Sequence, residues 1–309
     1  MSITDNVTAF VSKPVRWLGV VLIAIAAGAM ADAGSKSRPK GPRPPAPTGN
    51  YVAAYGDDWR AYADNAALHA VRQWWSWSRL PWQGHISLVP DDTFGQVVRM
   101  TQPKQDPKAP REVPRTFYLT QRFTEPLADV WVRFRVRFSP GFDLDGAVPR
   151  RANASYKLFF LTFHGADGRT GIEFANRRQY IYINLQGGFQ RDYEKSFGTH
   201  RWGGHVTGEF TNGQWYEYIV HREVTGTNVY VNRFYRRQLT RNGKVVDLPW
   251  NFWGIKTVGK PGQVARPAGG IDLGANKNKS NDKTQYVYWG PWEVVDGATY
   301  PNPFHVPLE

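Results

Sequence analysis

The chain has 309 residues, a formal net charge of +13, no cysteine and an aromatic fraction of 15% that includes 13 Trp. Without cysteine there is no disulfide framework and no Cys-based metal site. The positive excess favours polyanionic partners, which composition leaves open between nucleic acid, anionic lipid and acidic polysaccharide.

Lys13 and Arg16 precede an apolar run over residues 17–30, rich in Ala, Val, Ile and Gly. Ala29-Met30-Ala31 and Ala31-Asp32-Ala33 both offer small residues at signal-peptidase spacing. The run is short for a membrane span, which needs about 20 apolar residues. Lys36, Arg38, Lys40 and Arg43 follow it, so a retained span would pull the main domain into the cytoplasm. Residues 1–33 are therefore expected to be a cleaved export signal, with a retained membrane anchor as the alternative. The mature chain would start near Asp32 or Gly34 and be secreted or periplasmic, or else membrane-anchored. Residues 34–50 form a basic, Pro-rich, extended linker. Residues 51–309 remain as the folded domain.

From Tyr51 onward, Val, Ile, Tyr, Phe, Trp and Thr dominate the apolar positions, as suits a pleated surface. Only 61–77 has helical potential, and its Trp74-Trp75-Ser76-Trp77 cluster is expected to pack on the domain. Strands are expected near 85–89, 96–101, 116–123, 131–138, 156–164, 170–175, 179–186, 215–224, 228–234, 270–273 and 286–295. Short strands between Gly- and Pro-rich turns indicate an all-β sandwich or barrel. No nucleotide-binding glycine loop, H-E-x-x-H or G-x-S-x-G is present.

The segment Trp131-Val132-Arg133-Phe134-Arg135-Val136-Arg137-Phe138 alternates strictly. Val132, Phe134, Val136 and Phe138 belong to a core; Trp131 and three arginines occupy the opposite face. That face reads either as a wet surface for an extended anionic ligand or as an ordinary solvated one.

The order of elements resembles the concanavalin A-like lectin and glucanase jelly rolls, nearest to their polysaccharide-lyase-like branch. The segments that carry the resemblance are Arg137-Phe138-Ser139-Pro140-Gly141-Phe142, Lys157-Leu158-Phe159-Phe160-Leu161, Gly213-Gln214-Trp215-Tyr216-Glu217 and Asn228-Val229-Tyr230-Val231-Asn232. Gly270-Ile271-Asp272-Leu273-Gly274, followed by Tyr286-Val287-Tyr288-Trp289, closes the set. Together they cover roughly residues 84–296. The resemblance implies a two-sheet antiparallel sandwich with ligand across a concave sheet.

In Tyr180-Ile181-Tyr182-Ile183-Asn184-Leu185-Gln186 the alternation sets Ile181, Ile183 and Leu185 inward and Tyr180, Tyr182, Asn184 and Gln186 outward. Tyr offers a flat ring with a polar tip, and Asn and Gln pair a donor with an acceptor, which suits sugars. Glu217 and His221 share a strand face about 13 Å apart; Glu173 is a further outward carboxylate. Arg133, Arg135, Tyr180, Tyr182, Asn184, Gln186, Glu217 and His221 are thus expected to line one groove, and Glu173 to join them in binding.

The glucanase carboxylate trio E-x-D-x-x-E is absent, as are the Q-x-H and Y-x-K-x-G motifs of alginate-lyase relatives. A lyase needs a cation or amide on the uronate carboxylate and a base for the adjacent proton. In that case Tyr182 and His221 are the catalytic candidates. Lectins of the resembled fold often use calcium; Asp143-Leu144-Asp145-Gly146 and 276–282 are oxygen-rich, with plain turns as the alternative. The leading expectation is an exported binder of acidic polysaccharide. A uronate lyase is the alternative, and a structural or surface-attachment protein a third. No nucleic acid is expected, because the basic residues are spread and no motif is present.

Overall fold

Runs of β-branched and aromatic residues form seventeen strands among the residues described by this computed structural model, namely 51–71, 73–75, 83–104, 116–142, 155–165, 169–175, 180–185, 193–198, 211–258, 264–277 and 283–308. In chain order these are β1 (Tyr55–Asp57), β2 (Gln73–Trp75), β3 (Ile86–Asp91), β4 (Gly95–Gln102), β5 (Thr116–Leu127) and β6 (Asp129–Phe138). There follow β7 (Ser155–Phe163), β8 (Arg169–Ala175), β9 (Tyr180–Leu185), β10 (Tyr193–Gly198), β11 (Tyr216–Gly226) and β12 (Val229–Gln238). The last are β13 (Thr240–Arg241), β14 (Lys244–Val245), β15 (Asn251–Val258), β16 (Ala268–Lys277) and β17 (Gln285–Asp296). The readings of residues 1–50 lie outside the described residues. No helix among the described residues is long and apolar enough to cross a membrane.

The strands build a two-sheet antiparallel jelly-roll sandwich. One sheet runs β10-β15-β12-β11-β6-β17-β4-β3, with β1 also paired to β17, and the other runs β2-β5-β16-β7-β8-β9. β5 and β6 are consecutive yet lie in different sheets, as do β16 and β17. Pairing is therefore largely non-local. The β13–β14 hairpin turns at Asn242-Gly243, both at positive φ (50° and 74°), as a two-residue turn of the hairpin type requires.

Alternation along β6 works as expected on its inner side. Val132, Phe134, Val136 and Phe138 sit in the core between the sheets, with Tyr216, Tyr218 and Val220 of β11 beside them. Leu119, Phe159, Leu161, Ile271 and Leu273 complete this core from the smaller sheet. Phe134 stacks on Phe159 with ring centroids 4.9 Å apart and on Tyr218 at 5.2 Å. Each such buried side chain contributes about 1.5–3 kcal/mol.

Two local expectations change. The helix within 61–77 is only α1 (Asn65–Val71), because Asp64 caps it and the chain turns extended at Gln73. The cap is a bond from the Ala67 N–H to Asp64 Oδ1 at 2.8 Å. β10 and β15 were not anticipated. β15 begins just after Pro249 and carries Gly254 at its centre, both of which read as turn signals.

Candidate functional site

The arginine face of β6 is closed rather than wet. Arg135 donates from Nε to Glu217 Oε2 at 2.7 Å, and Arg237 Nη2 reaches Glu217 Oε1 at 2.8 Å. Arg133 Nε donates to Glu293 Oε1 at 2.6 Å, and its Nη2 donates to the Tyr51 hydroxyl at 2.6 Å. That hydroxyl in turn donates to Glu293 Oε2. His221 Nε2 lies 2.7 Å from Asp129 Oδ1, and its ring stacks on Trp131 at 3.8 Å. Tyr51, Tyr300, Phe304 and Val306 cover this layer as a second, smaller core. Arg133, Arg135, Glu217 and His221 are 9%, 7%, 2% and 4% exposed.

Burial by itself would push the Glu217 carboxyl up, but Arg135, Arg133 and Arg237 together outweigh it and hold it below the usual carboxylate range. Burial draws the Arg135 guanidinium below its ordinary value, with Glu217 acting against that shift. This is a structural ion-pair layer, and the expectation of an open cationic ligand surface is corrected. Sequence alternation identified the face but not the segments that cover it.

The eight-residue groove is also divided. Arg133, Arg135, Glu217 and His221 stand on β6 and β11 of the nine-stranded sheet, whereas Tyr180, Tyr182 and Asn184 stand on β9 of the six-stranded one. Glu173, on β8, is the register partner of Tyr182. Gln186 lies outside the described residues. So do 143–146 and 278–282 of the calcium candidates. Among the described residues no group of three or more His, Asp and Glu is placed to hold a metal ion.

In the six-stranded sheet one register row runs from edge to edge. Gln73, Thr120, Asp272, Phe160, Gly171 and Asn184 are successive register partners across all six strands. Two strand positions along, Lys157 pairs with Glu173, which pairs with Tyr182. At the centre, Thr120 Oγ1 donates to Asp272 Oδ1 at 2.6 Å. Next to them Arg122 Nη1 donates to Thr162 Oγ1 at 3.0 Å, and Thr162 Oγ1 donates to the Gly270 carbonyl at 3.1 Å.

Two glycines of β16 make this layout fit. A Cβ on Gly270 would stand 2.6 Å from the Gln121 carbonyl and 3.3 Å from Arg122 Cδ, so Arg122 reaches across the strand only because that side chain is missing. A Cβ on Gly274 would overlap the Tyr118 ring, which lies across the same strand. Tyr118 meets Phe160 with ring centroids 6.1 Å apart. Arg122 is exposed and, among the described residues, pairs with no carboxylate. Its charge is held in place by a neutral hydroxyl.

Tyr118, Thr120, Arg122, Thr162 and Asp272 were not selected from the sequence. The signal was present: alternation puts Gly270, Asp272 and Gly274 on one face of β16, and Tyr118, Thr120 and Arg122 on one face of β5. A strand face of glycines around one acid marks a place where other groups approach closely.

The chain matches no protein family and no curated protein. Several solved structures do match. The marine PL-14 alginate lyase from Aplysia kurodai is 10% identical with a TM-score of 0.48, over 72% of this chain and 89% of that one. Alginate lyase Aly36B is 11% identical with a TM-score of 0.46, over 78% and 95%. An endo-β-1,4-glucuronan lyase from the fungus Trichoderma reesei is 13% identical with a TM-score of 0.38, over 68% and 86%. The likeness is one of fold.

Proposed function

We propose that the protein takes an anionic polysaccharide across the outer face of the six-stranded sheet and cleaves it by β-elimination. The observation that carries this reading is Arg122, an exposed guanidinium fixed by Thr162 beside the buried Thr120–Asp272 pair. Every arginine of the β6 and β11 layer that was expected to meet ligand already meets a carboxylate. Arg122 does not, and a positioned guanidinium is suited to a uronate carboxylate.

In the proposed reaction Arg122 neutralises that carboxylate, which makes the proton on the adjacent carbon more acidic. A base on the same face takes this proton, the electron pair forms the new double bond, and the glycosidic oxygen leaves and is protonated; Tyr182, on β9, stands four strands from Arg122 on β5 and is not that base. His221 drops out of the catalytic reading, because it is stacked under Trp131 and bound to Asp129 on the other sheet. Export with a mature terminus near Asp32 or Gly34 would bring the protein to such a polymer outside the cell.

The test is incubation with alginate, glucuronan and pectate, following absorbance of the unsaturated product beside a binding assay. Arg122→Ala should lower kcat/KM by about tenfold or more. Binding without product would make this a carbohydrate-recognition module on the same face. Neither binding nor product with any polyuronate would overturn the assignment.

A further inference from the structure

Tyr51 and Phe304 cover Arg133, but further along β6 the same face of the nine-stranded sheet opens. Arg137 keeps 26% of its side chain exposed, against 11% for Arg133 and 9% for Arg135. Ser87, Arg99, Tyr288 and Arg137 are successive register partners across β3, β4, β17 and β6. Their strand neighbours Ile86, Val98, Val287 and Phe138 lie in the core, so this row faces outward, and Tyr286 shares its face.

Rings and guanidiniums are interleaved here. Arg137 Cζ lies 4.5 Å from the Tyr288 ring centroid and 4.9 Å from that of Trp215, and Arg99 Cζ lies 5.2 Å from that of Tyr286. A ring beneath a guanidinium holds it without consuming its N–H donors. One Arg137 nitrogen goes to Asp91 Oδ2 at 3.0 Å, an oxygen that Trp215 Nε1 also reaches at 3.3 Å. Arg99 meets no carboxylate among the described residues, and its Nε is left without a bond, as is the Oγ of its register partner Ser87. Exposed Lys104 and Lys283 add charge past the end of β4 and before β17, where the Lys104 N–H donates to Thr284 Oγ1 at 3.2 Å.

Arg99 and Arg137 stand two strands apart, about 10 Å, so one small anion cannot serve both. With the lysines beyond, the strip matches several anionic groups spaced along an extended chain. Tyr286 and Tyr288 each already carry a guanidinium on one ring face, which hinders the base stacking that holds single-stranded nucleic acid. The hydroxyls of half-buried Tyr286, Tyr288 and Thr101 lie among the cations and suit the hydroxyls of sugars.

We propose that this strip holds a stretch of anionic polysaccharide as an anchoring site apart from the Arg122 face. For the identity of the polymer it rests on the reading given above.

Titration of the full chain with long-chain alginate across a sodium chloride series tests it, with dextran and single-stranded oligo(dT) as parallel probes. Arg99→Ala should weaken alginate about threefold or more and make its salt dependence shallower, and Arg99→Glu should weaken it further. Lys104→Ala combined with Lys283→Ala, at exposed positions, should act in the same direction. Lys244→Ala, a charge lost on the β13–β14 hairpin outside the strip, should bind as the wild type does. Wild-type affinity in Arg99→Ala or in the double lysine variant would overturn the strip and leave the Arg122 face standing. So would a loss in Lys244→Ala equal to that in Arg99→Ala, or dextran or oligo(dT) bound as tightly as alginate. No binding of alginate, glucuronan or pectate to the wild type would overturn both readings.

Discussion

Glu217 and Arg122 show how far the role of one side chain depends on its neighbours. Glu217 is 2% exposed and bonded to Arg135 and Arg237, so replacing it by Gln leaves buried positive charge without its partner. Losing one member of such a pair costs about 3–5 kcal/mol. Chemical denaturation of Glu217→Gln should show a loss of that order at pH 7. The folded carboxyl lies below its unfolded value of about 4.3. Its contribution is therefore fully present above about pH 4.3 and is lost as pH falls through the folded pKa. The gap between wild type and Glu217→Gln should thus be constant near neutrality and narrow steadily below about pH 4. Arg122→Ala, at an exposed position, should change stability by no more than about 0.5 kcal/mol.

At the scale of elements, the decisive piece is the C-terminal segment after β17. Asn302 bonds Val306 twice, from Nδ2 to its carbonyl at 2.8 Å and from its N–H to Oδ1 at 3.1 Å. This holds Phe304 over the Arg133 guanidinium at 4.4 Å and edge-on to Tyr51 and Trp131. A hydrophobic strap here costs less than leaving Trp131, Ile219 and Val295 in water. Phe304→Ala should lower stability by about 1–3 kcal/mol, because a half-buried ring and a cation–π contact are lost together. Trp131 would then meet solvent, so the tryptophan emission of the folded variant should shift to the red. An unchanged spectrum and stability would mean that the strap does not seal this face.

For the whole molecule, the formal charge of +13 acts at long range, whereas the carboxylate-paired arginines act locally. At an ionic strength of 0.15 M charges are screened beyond about 8 Å, so attraction of a polyanion should weaken steeply with salt. Polyuronate affinity measured across a sodium chloride series should fall in the wild type and fall less steeply in Arg122→Ala. Tyr182→Ala should reduce affinity with the slope unchanged. A neutral glycan should show no salt dependence.

Which side of a strand faces the core was legible from the sequence, because alternation is a local property with a period of two. Val132, Phe134, Val136 and Phe138 lie inward for that reason, and the all-β sandwich follows from many such segments divided by turns. Which strands become neighbours was not legible. β9 and β11 both alternate polar with apolar residues in sequence, but long-range pairing sends them to different sheets, so Tyr182 and Glu217 cannot share a groove. Nor could the sequence tell a wet arginine from a covered one. Arg133 is neutralised by Glu293, 160 positions away, and capped by Phe304, whereas Arg122 is fixed by a hydroxyl across a glycine. Local periodicity sets the direction of a side chain; what it then meets is decided only when distant segments close over it.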